Sequence, residues 1–230
     1  MAARGTEITA GDVWRGLPHR VGVAVRLTSS LESAIASLHP LEEQALGPRA
    51  VDRRRKVFAV GRAAARDALA DFGVLAVAIP RAPGGEPLWP DGYVGSISHS
   101  HQVAIALVGR RCDYVGLGVD VEELARGPSP RAARLVCRPA EMDWVDVESG
   151  TERLARLFSA KEAVFKALYP IERVWLGFAD AELSWNADRE QFEARVLKSV
   201  GHGYPQDFRL TVNSTVGTDW VLSTAFVPAR

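Results

Sequence analysis

The chain has 230 residues, of which 47% are hydrophobic and 24% are charged, so it can bury a sizeable core and has the composition of a globular protein. Lysine plus arginine and aspartate plus glutamate both number 28, so no net field favours nucleic acid or an anionic membrane as a partner. The only cysteines, Cys112 and Cys137, suit a reducing compartment. With no secretion signal at the N-terminus and no apolar run of membrane-spanning length, a cytoplasmic protein is expected.

The residue pattern predicts helices and strands in both halves of the chain. The expected elements are, in order, a strand at 21–27, a helix at 51–72 that stops at Gly73, a loop at 81–92, a strand, polar bend and strand within 93–108, and a strand at 114–122. They continue with a short helix at 139–147, a long helix from about Ser149 to just before Pro170, and strands at 181–185, 192–197, 208–212 and 220–226. Each half combines one long helix with several strands, which predicts an α+β fold with two subdomains, 1–110 and 111–230.

Two carboxylates stand close together on the strand predicted at 114–122. Side chains alternate between the two faces of a strand, so Asp120 and Glu122 share one face and the apolar residues share the other. An edge strand with a wet outer face explains this pattern by itself. A site for a hard divalent cation explains it as well, because Mg²⁺ prefers oxygen ligands, and Gly118 would let a ligand approach closely.

The helix that contains FSAKEAVFKALYP (158–170) carries a lysine where its packing face is expected. Lys161 projects from an arc of leucines and phenylalanines, and an unpaired ammonium is not tolerated in a core. The amine must either extend to water or meet a buried anion, for which a phosphate would serve. Glu162 and Lys166 have the spacing of an ordinary surface ion pair. With the two strand carboxylates, these residues could also form a site for a metal ion and a diphosphate.

Two polar clusters add candidates for anion binding. In SISHSH (96–101) we expect an ordinary hydrogen-bonded turn for the serines at 96 and 100, and an anion contact for His99, since no Gly-x-Ser-x-Gly elbow supports a hydrolase. On the first long helix, Arg55, Arg62 and Arg66 form one stripe, with Arg54 beside it. Guanidinium groups bind phosphate in bidentate fashion, although a solvated face explains the stripe equally well.

Taken in this order, the motifs resemble those of the Sfp-type 4′-phosphopantetheinyl transferases, and within that family the siderophore-synthesis and actinobacterial branch. The resemblance is carried by WPDGYVGSISHS (89–100), GVDVE (118–122) and FSAKEAVFKALYP (158–170), with support from RRKVFAVGR (54–62) and WLGFADA (175–181). GVDVE and FSAKEAVFKA at this separation are far more specific together than either motif alone.

The resemblance implies an α+β fold of two subdomains related by pseudo-twofold symmetry, with coenzyme A bound between them. It implies an enzyme that uses Mg²⁺, with Mn²⁺ as an alternative, and that transfers 4′-phosphopantetheine from coenzyme A to a serine of an acyl or peptidyl carrier protein domain. Adenosine 3′,5′-bisphosphate would be released. The expected form is a monomer, with neither nucleic acid nor a membrane as a partner.

The family motifs also imply roles for individual residues. The metal-binding acids would be Asp120, Glu122 and Glu162, and the coenzyme would contact Arg54, Arg62, Ser98, His99, Lys161 and Lys166. The chemistry of the transfer adds that the carrier serine must lose its proton, for which Glu162 is the candidate general base, directly or through a metal-bound water, with Lys166 and Asp120 as the catalytic residues beside the diphosphate. On this view the Lys161 amine faces a ligand.

One turn departs from the family pattern. Many relatives have Gly-Lys-Pro before the histidine motif, whereas this chain has Gly85-Glu86-Pro87. We therefore expect no phosphate contact in this turn unless Arg81 supplies it. Coenzyme affinity should fall less on Glu86→Ala than on Arg54→Ala.

Two other classes of protein are compatible with parts of the pattern. A non-catalytic coenzyme A-binding module would use the cationic residues but has no need for three acids. A metal-dependent phosphohydrolase would use the same acids. Transfer to a protein requires in addition an exposed apolar docking surface, for which Trp175, Leu176 and Phe178 are candidates unless they are buried in the core.

Overall fold

The computed structural model describes residues 8–14, 20–28, 35, 38–46, 52–145 and 150–230. The helices in these ranges are α1 (Ala10–Trp14), α2 (Pro40–Gln44), α3 (Asp52–Ala70), α4 (Ala133–Val136), α5 (Pro139–Val145) and α6 (Gly150–Glu172). The strands are β1 (Val21–Leu27), β2 (Tyr93–His99), β3 (Val103–Arg110), β4 (Tyr114–Glu123), β5 (Ala181–Asn186), β6 (Gln191–Val196), β7 (Phe208–Val216) and β8 (Trp220–Pro228). No helix in these ranges is both long and apolar enough to span a bilayer.

The strands form two antiparallel sheets, one from each half of the chain. The first sheet has the order β1-β3-β2, and the second has the order β4-β8-β7-β6-β5. β4 pairs with the last strand, β8, so the middle of the chain lies against its C-terminal end. Antiparallel sheets with separate long helices make this an α+β protein, as the sequence predicts.

Helix α3 packs on the first sheet through small side chains. Its buried face includes Ala64, Ala65, Ala68 and Leu69. Alanine combines high helix propensity with a small volume, so the helix can lie very close to the strands. A Cβ on Gly22 of β1 would lie only 2.4 Å from the carbonyl oxygen of Ala68, which explains the glycine at that position.

Helix α6 lies equally close to β4. A Cβ on Gly116 would lie 2.0 Å from the carbonyl oxygen of Ala167, and a Cβ on Gly118 would lie 1.9 Å from that of Ala163. Gly118 therefore makes room for the helix, and the expectation that it lets a ligand approach is wrong. β4 is the end strand of its sheet, yet it is buried continuously from Gly116 to Val121. The expectation of a wet outer face is also wrong, because α6 covers that face.

The two sheets meet along β2 and β4 through serine side chains. The backbone N–H of Val119 donates to Ser96 Oγ at 3.0 Å, and that of Val121 donates to Ser98 Oγ at 3.3 Å. Both serines are buried. Their hydroxyl oxygens accept hydrogen bonds from backbone N–H groups, in the place that backbone carbonyl oxygens take within a sheet. SISH is thus the end of strand β2 and not a polar bend. The turn to β3 begins at Ser100.

The short helices α1, α2 and α4 are not predicted from the sequence, but the predicted elements are present, with differences at SISH and at the end of α6. The sequence predicts that this helix stops before Pro170, but it continues to Glu172. Pro170 removes the one hydrogen bond that its own N–H would donate to residue 166, but the rest of the turn is kept. The N–H of Arg173 still donates to the carbonyl of Tyr169 at 2.8 Å. The capping residue predicted at Ser149 and the predicted helix ends at 51 and 146–147 lie outside the described residues.

Candidate active site

A cleft of about 670 Å³ opens between helix α3, the loop before β2 and the end of β4. Four residues predicted from the sequence line it: Arg54, Arg62, His99 and Glu122. Arg81, His101 and Arg126 also line it. The last two are not predicted from the sequence. His101 belongs to the same SISHSH motif as His99, which could have indicated it, whereas Arg126 reaches the cleft because β4 packs beside β2. The cleft therefore offers several cationic groups to an anionic ligand.

Arg62 is a buried cation in the wall of this cleft. The residue is 6% exposed, and its guanidinium carbon lies 4.3 Å from the centroid of the Phe58 ring. Its Nε is buried and has no hydrogen-bond partner among the described residues. Burial lowers the pKa of Arg62 to about 10, and the opposing effect of Glu42 is smaller. Arg62 is thus charged at neutral pH and has a free donor for a phosphate oxygen.

The other two arginines of the predicted stripe have carboxylate partners. Arg66 donates to both oxygens of Glu42 at 2.7 and 2.8 Å, and Arg55 donates to Glu43 at 2.7 Å. Both glutamates belong to α2, so these pairs attach α2 to α3. The stripe therefore does not act as a single anion-binding surface.

His99 ends β2 and faces the same cleft. Desolvation by the surrounding protein lowers the pKa of His99. The positive charges of Lys166 and Arg62 lower this pKa further. A neutral imidazole has one N–H donor. An anion beside it would raise the pKa again and favour the charged form. The position of His99 is therefore compatible with the predicted anion contact.

Asp120 lies at the seam between the sheets and holds Lys166 of α6. The Lys166 amine donates to Asp120 Oδ1 at 2.6 Å, to Ser98 Oγ at 3.1 Å and to the Val119 carbonyl at 3.2 Å. Ser98 donates to the same Asp120 oxygen at 3.1 Å, so its hydroxyl is used inside this network. Asp120 Oδ2 is buried and has no hydrogen-bond partner within the described part of the chain.

Glu122 on β4 and Glu162 on α6 are electrostatically coupled to Asp120. Partial burial raises the pKa of Glu122 to about 7, and repulsion from Asp120 and Glu162 adds to this effect while Lys166 opposes it. Partial burial also raises the pKa of Glu162, with Lys166 opposing and Asp120 adding to the shift. The carboxylates of Glu122 and Glu162 are therefore within electrostatic range of Asp120 and Lys166.

This arrangement suits a divalent cation, although it is not a completed metal site. Over the ranges that the structure describes, no three His, Cys, Asp or Glu side chains are arranged to hold a metal ion. The unpartnered oxygen of Asp120 nevertheless lacks a positive partner. A hard cation would supply that partner and relieve the repulsion among the acids. The oxygen donors present are those that Mg²⁺ prefers, so the chemistry of these residues, without a completed ligand geometry, fits such an ion.

Lys161 does not join this group. Its side chain is 2% exposed, and its amine donates to Glu141 Oε2 at 2.7 Å, to the Val136 carbonyl at 2.8 Å and to the Phe178 carbonyl at 2.9 Å. The three donors of the ammonium are thus used inside the protein. The buried anion that the sequence requires is Glu141 of α5. The expectation that this amine faces a ligand is therefore wrong.

A second pocket of about 310 Å³ adjoins the cleft and shares Arg81 with it. Lys166 lines it, together with the rings of Phe165, Tyr169 and Trp175. These rings contact one another, with 4.9 Å between the centroids of Phe165 and Trp175. The two pockets differ in chemistry, since the cleft is rich in cations and the second pocket has an aromatic wall.

The sequence matches two family profiles, one in each half of the chain. Residues 42–109 match the 4′-phosphopantetheinyl transferase N-terminal domain, and residues 116–225 match the 4′-phosphopantetheinyl transferase superfamily. Over 183 residues the chain is 36% identical to the 4′-phosphopantetheinyl transferase PptT of Mycobacterium tuberculosis, and the match covers 75% of this chain and 77% of that protein. The chain belongs to the 4′-phosphopantetheinyl transferase family.

Further comparisons give one solved structure with a low TM-score and two more sequence relatives. A crystal structure of Thermotoga maritima holo-[acyl-carrier-protein] synthase is 24% identical with a TM-score of 0.42, over 51% of this chain and 65% of that one. The transferase Svp of Streptomyces mobaraensis is 40% identical over 181 residues, covering 74% of this chain and 70% of the relative. Enterobactin synthase component D of Salmonella typhi is 34% identical over 182 residues, covering 75% and 69%. These sequence relatives confirm the predicted branch of the family, and the protein is a 4′-phosphopantetheinyl transferase enzyme.

Proposed function

We propose that this transferase moves 4′-phosphopantetheine from coenzyme A to a serine hydroxyl of an acyl or peptidyl carrier protein domain, uses Mg²⁺ and releases adenosine 3′,5′-bisphosphate. Family membership supports the reaction. The observation that supports the metal requirement is the buried, unpartnered Oδ2 of Asp120, beside two acids with raised pKa values. Glu122 belongs to both the acid cluster and the cationic cleft, so the two regions are continuous.

The phosphates of the nucleotide end would bind in the cationic cleft. Arg62 supplies a buried donor without a partner, and Arg54 and His99 line the same space. Arg81 stands where the cleft meets the second pocket, so it is placed for the diphosphate rather than for the adenosine end. Charge-assisted hydrogen bonds from such groups are the strong ones in phosphate recognition.

The metal ion would be held by Asp120, Glu122 and Glu162. When bound, Mg²⁺ supplies charge neutralisation at the diphosphate of the coenzyme. The unpaired oxygen of Asp120 can serve the ion while the other oxygen keeps Lys166 in place. Asp120 would thus use one oxygen for the ion and the other for Lys166.

The transfer itself requires one proton acceptor and one stabilised leaving group. The serine oxygen forms a new bond to the phosphorus that bears the pantetheine, and the bond from that phosphorus to the bridging oxygen breaks. The serine proton passes to Glu162, the carboxylate of α6 that is influenced by both Lys166 and Asp120. Lys166, held by Asp120, stabilises the charge that develops on the departing phosphate.

The arm of the coenzyme would lie in the second pocket, and the carrier would approach from its open side. Trp175 is 67% exposed and lines that pocket, whereas Leu176 is buried. Trp175 is therefore the better candidate for a carrier contact. We further propose that residues 1–110 and 111–230 supply the two walls of the cleft and that a single chain is sufficient for activity.

The test is intact-mass spectrometry of a carrier protein incubated with the enzyme, coenzyme A and Mg²⁺. The carrier should gain one phosphopantetheine, and the gain should disappear with a chelator and with Glu162→Gln. Glu193→Gln is the matched control, because Glu193 is an exposed glutamate on β6. An unmodified carrier across several carrier types, with coenzyme A still bound, would favour a binding module. Release of phosphate or nucleotide without carrier modification would favour a hydrolase.

A further inference from the structure

The second pocket contains a carboxylate whose contacts are incomplete. The side chain of Glu86 is 10% exposed, and its Oε1 accepts a hydrogen bond from Arg173 Nε at 3.1 Å. Its other oxygen, Oε2, is buried and has no hydrogen-bond partner in the described residues. Leaving a buried acceptor unpaired is costly, and more so when it is charged. A donor from outside the chain would remove this cost.

The free oxygen lies at one particular place in the pocket. A Cβ on Gly84 would lie 2.6 Å from Glu86 Oε2 and 2.4 Å from the Tyr169 hydroxyl, so both oxygens stand beside the same glycine. Gly84, Glu86 and Tyr169 all line the second pocket. The missing side chain of Gly84 thus lets these two oxygens pack against its backbone, and they form a polar part of the pocket wall beside its aromatic rings.

The charge of Glu86 decides what kind of group can occupy this part of the pocket. A phosphate oxygen has no proton to donate and would be repelled by the carboxylate. A neutral N–H or O–H group can donate to Oε2, and charged acceptors form stronger hydrogen bonds than neutral ones. The occupant is therefore a hydrogen-bond donor and not a phosphate, and the neutral N–H and O–H groups of the pantetheine arm are donors of this kind on a ligand that also extends along aromatic side chains.

We infer that Glu86 Oε2 accepts a hydrogen bond from an amide N–H or the hydroxyl of the pantetheine arm, which makes Glu86 a specificity-determining residue for the arm. This inference rests on the proposed function, since it takes coenzyme A as the ligand that spans both pockets. The cationic cleft selects the phosphates, and Glu86 selects the neutral, donor-bearing chain attached to them. Arg173 holds Glu86 in place through the other oxygen.

Binding of two ligands separates this role from a general effect on the site. Coenzyme A carries the arm, whereas adenosine 3′,5′-bisphosphate has the same 3′-phosphorylated nucleotide without it. By calorimetry, Glu86→Ala should weaken coenzyme A binding about tenfold, the loss of roughly one hydrogen bond, and should leave adenosine 3′,5′-bisphosphate binding unchanged. Glu86→Gln, which keeps an acceptor oxygen of the same reach, should recover most of the affinity.

Steady-state kinetics provide an independent readout. Glu86→Ala should raise KM for coenzyme A and leave KM for the carrier unchanged. Arg173→Ala is the control for a purely structural ion pair, because it breaks the pair and retains the acceptor; it should weaken coenzyme A binding less than Glu86→Ala does. A coenzyme A analogue without the arm hydroxyl identifies the donor. If wild type and Glu86→Ala bind this analogue with equal affinity, the hydroxyl is the donor. If wild type still binds it more tightly than Glu86→Ala does, the donor is an amide.

Two results would overturn the inference. One is a Glu86→Ala variant that binds coenzyme A as wild type does while wild type modifies the carrier normally. The other is an equal loss of both ligands, which would mean that Glu86 only supports the loop. Failure of wild type to modify any carrier would instead contradict the proposed function.

Discussion

Replacing Lys161 by methionine tests whether this motif lysine stabilises the fold or contacts the coenzyme. The side chains of Lys161 and Glu141 are 2% and 1% exposed. Glu141 also accepts hydrogen bonds from the backbone N–H groups of Leu183 and Arg138, at 2.7 and 2.6 Å. Lys161→Met would leave a buried carboxylate with these two donors and no counter-ion. Removing one partner of a buried ion pair costs about 3–5 kcal/mol.

The free energy of unfolding can be measured by urea denaturation with fluorescence and circular dichroism. A loss of this size is a large part of the ~5–15 kcal/mol that stabilises a typical domain. Lys198→Met is the matched control, because the amine of Lys198 donates to the Trp175 carbonyl at the exposed surface of the protein. This substitution should cost less than about 0.5 kcal/mol. In the double variant Lys161→Met/Glu141→Gln the loss should be smaller than the sum of the single losses, by about 0.5–3 kcal/mol.

The opposite result would support the role implied by the family resemblance. If Lys161→Met unfolded with a free energy within about 1 kcal/mol of wild type, the buried pair would contribute little, against the estimate of about 3–5 kcal/mol. If KM for coenzyme A rose at the same time, the amine would have to reach the ligand. That pair of results would refute the reasoning from the contacts of Lys161.

Three other changes test the cleft, the metal and the helix packing. Arg62→Ala should weaken coenzyme A binding, measured by calorimetry, by ~10- to 100-fold, because charge-assisted hydrogen bonds are lost. Arg55→Ala removes only a surface ion pair and should leave the affinity unchanged. Equal losses of affinity would mean that the whole face of α3 binds the coenzyme. Asp120→Asn should abolish carrier modification measured by mass spectrometry, and Mg²⁺ added back after chelation should restore it only in wild type; activity of the chelated enzyme would exclude the metal requirement. Gly118→Ala should lower the free energy of unfolding by about 3 kcal/mol or more, because its Cβ would lie 1.9 Å from a carbonyl oxygen of α6. Gly203→Ala is the control, since its Cβ would meet nothing within 4 Å. Similar free energies of unfolding for the two variants would contradict the close packing of α6 on β4.

The secondary structure could be predicted because local patterns determine most of it. The alternation in VGVAVRL predicts β1, and the run before Gly73 predicts α3, which ends at Ala70. The prediction of a polar bend at SISH is wrong, because serines are typical of turns although these residues end strand β2. In the folded protein those hydroxyls accept backbone N–H groups of β4, which is a contact between distant parts of the chain.

The site could be predicted only in part, for the same reason. The residues alone left Asp120 and Glu122 open to an ordinary surface explanation, and the family motifs were needed to favour a metal site. The role of Lys161 depends on Glu141, which lies 20 residues earlier on a separate helix. The role of Gly118 depends on the distance to α6. Neither partner can be identified from the spacing of residues within one element.

The geometry of α6 explains why one motif contains two lysines with different tasks. Residues five apart on a helix point about 140° away from each other, so Lys161 and Lys166 reach opposite sides of α6. Lys161 attaches the helix to α5 and to the segment at Phe178, whereas Lys166 attaches it to β2 and β4. Glu162 follows Lys161 directly, so the buried pair also fixes the orientation of the proposed base. The motif therefore couples the stability of the helix to the placement of its acid.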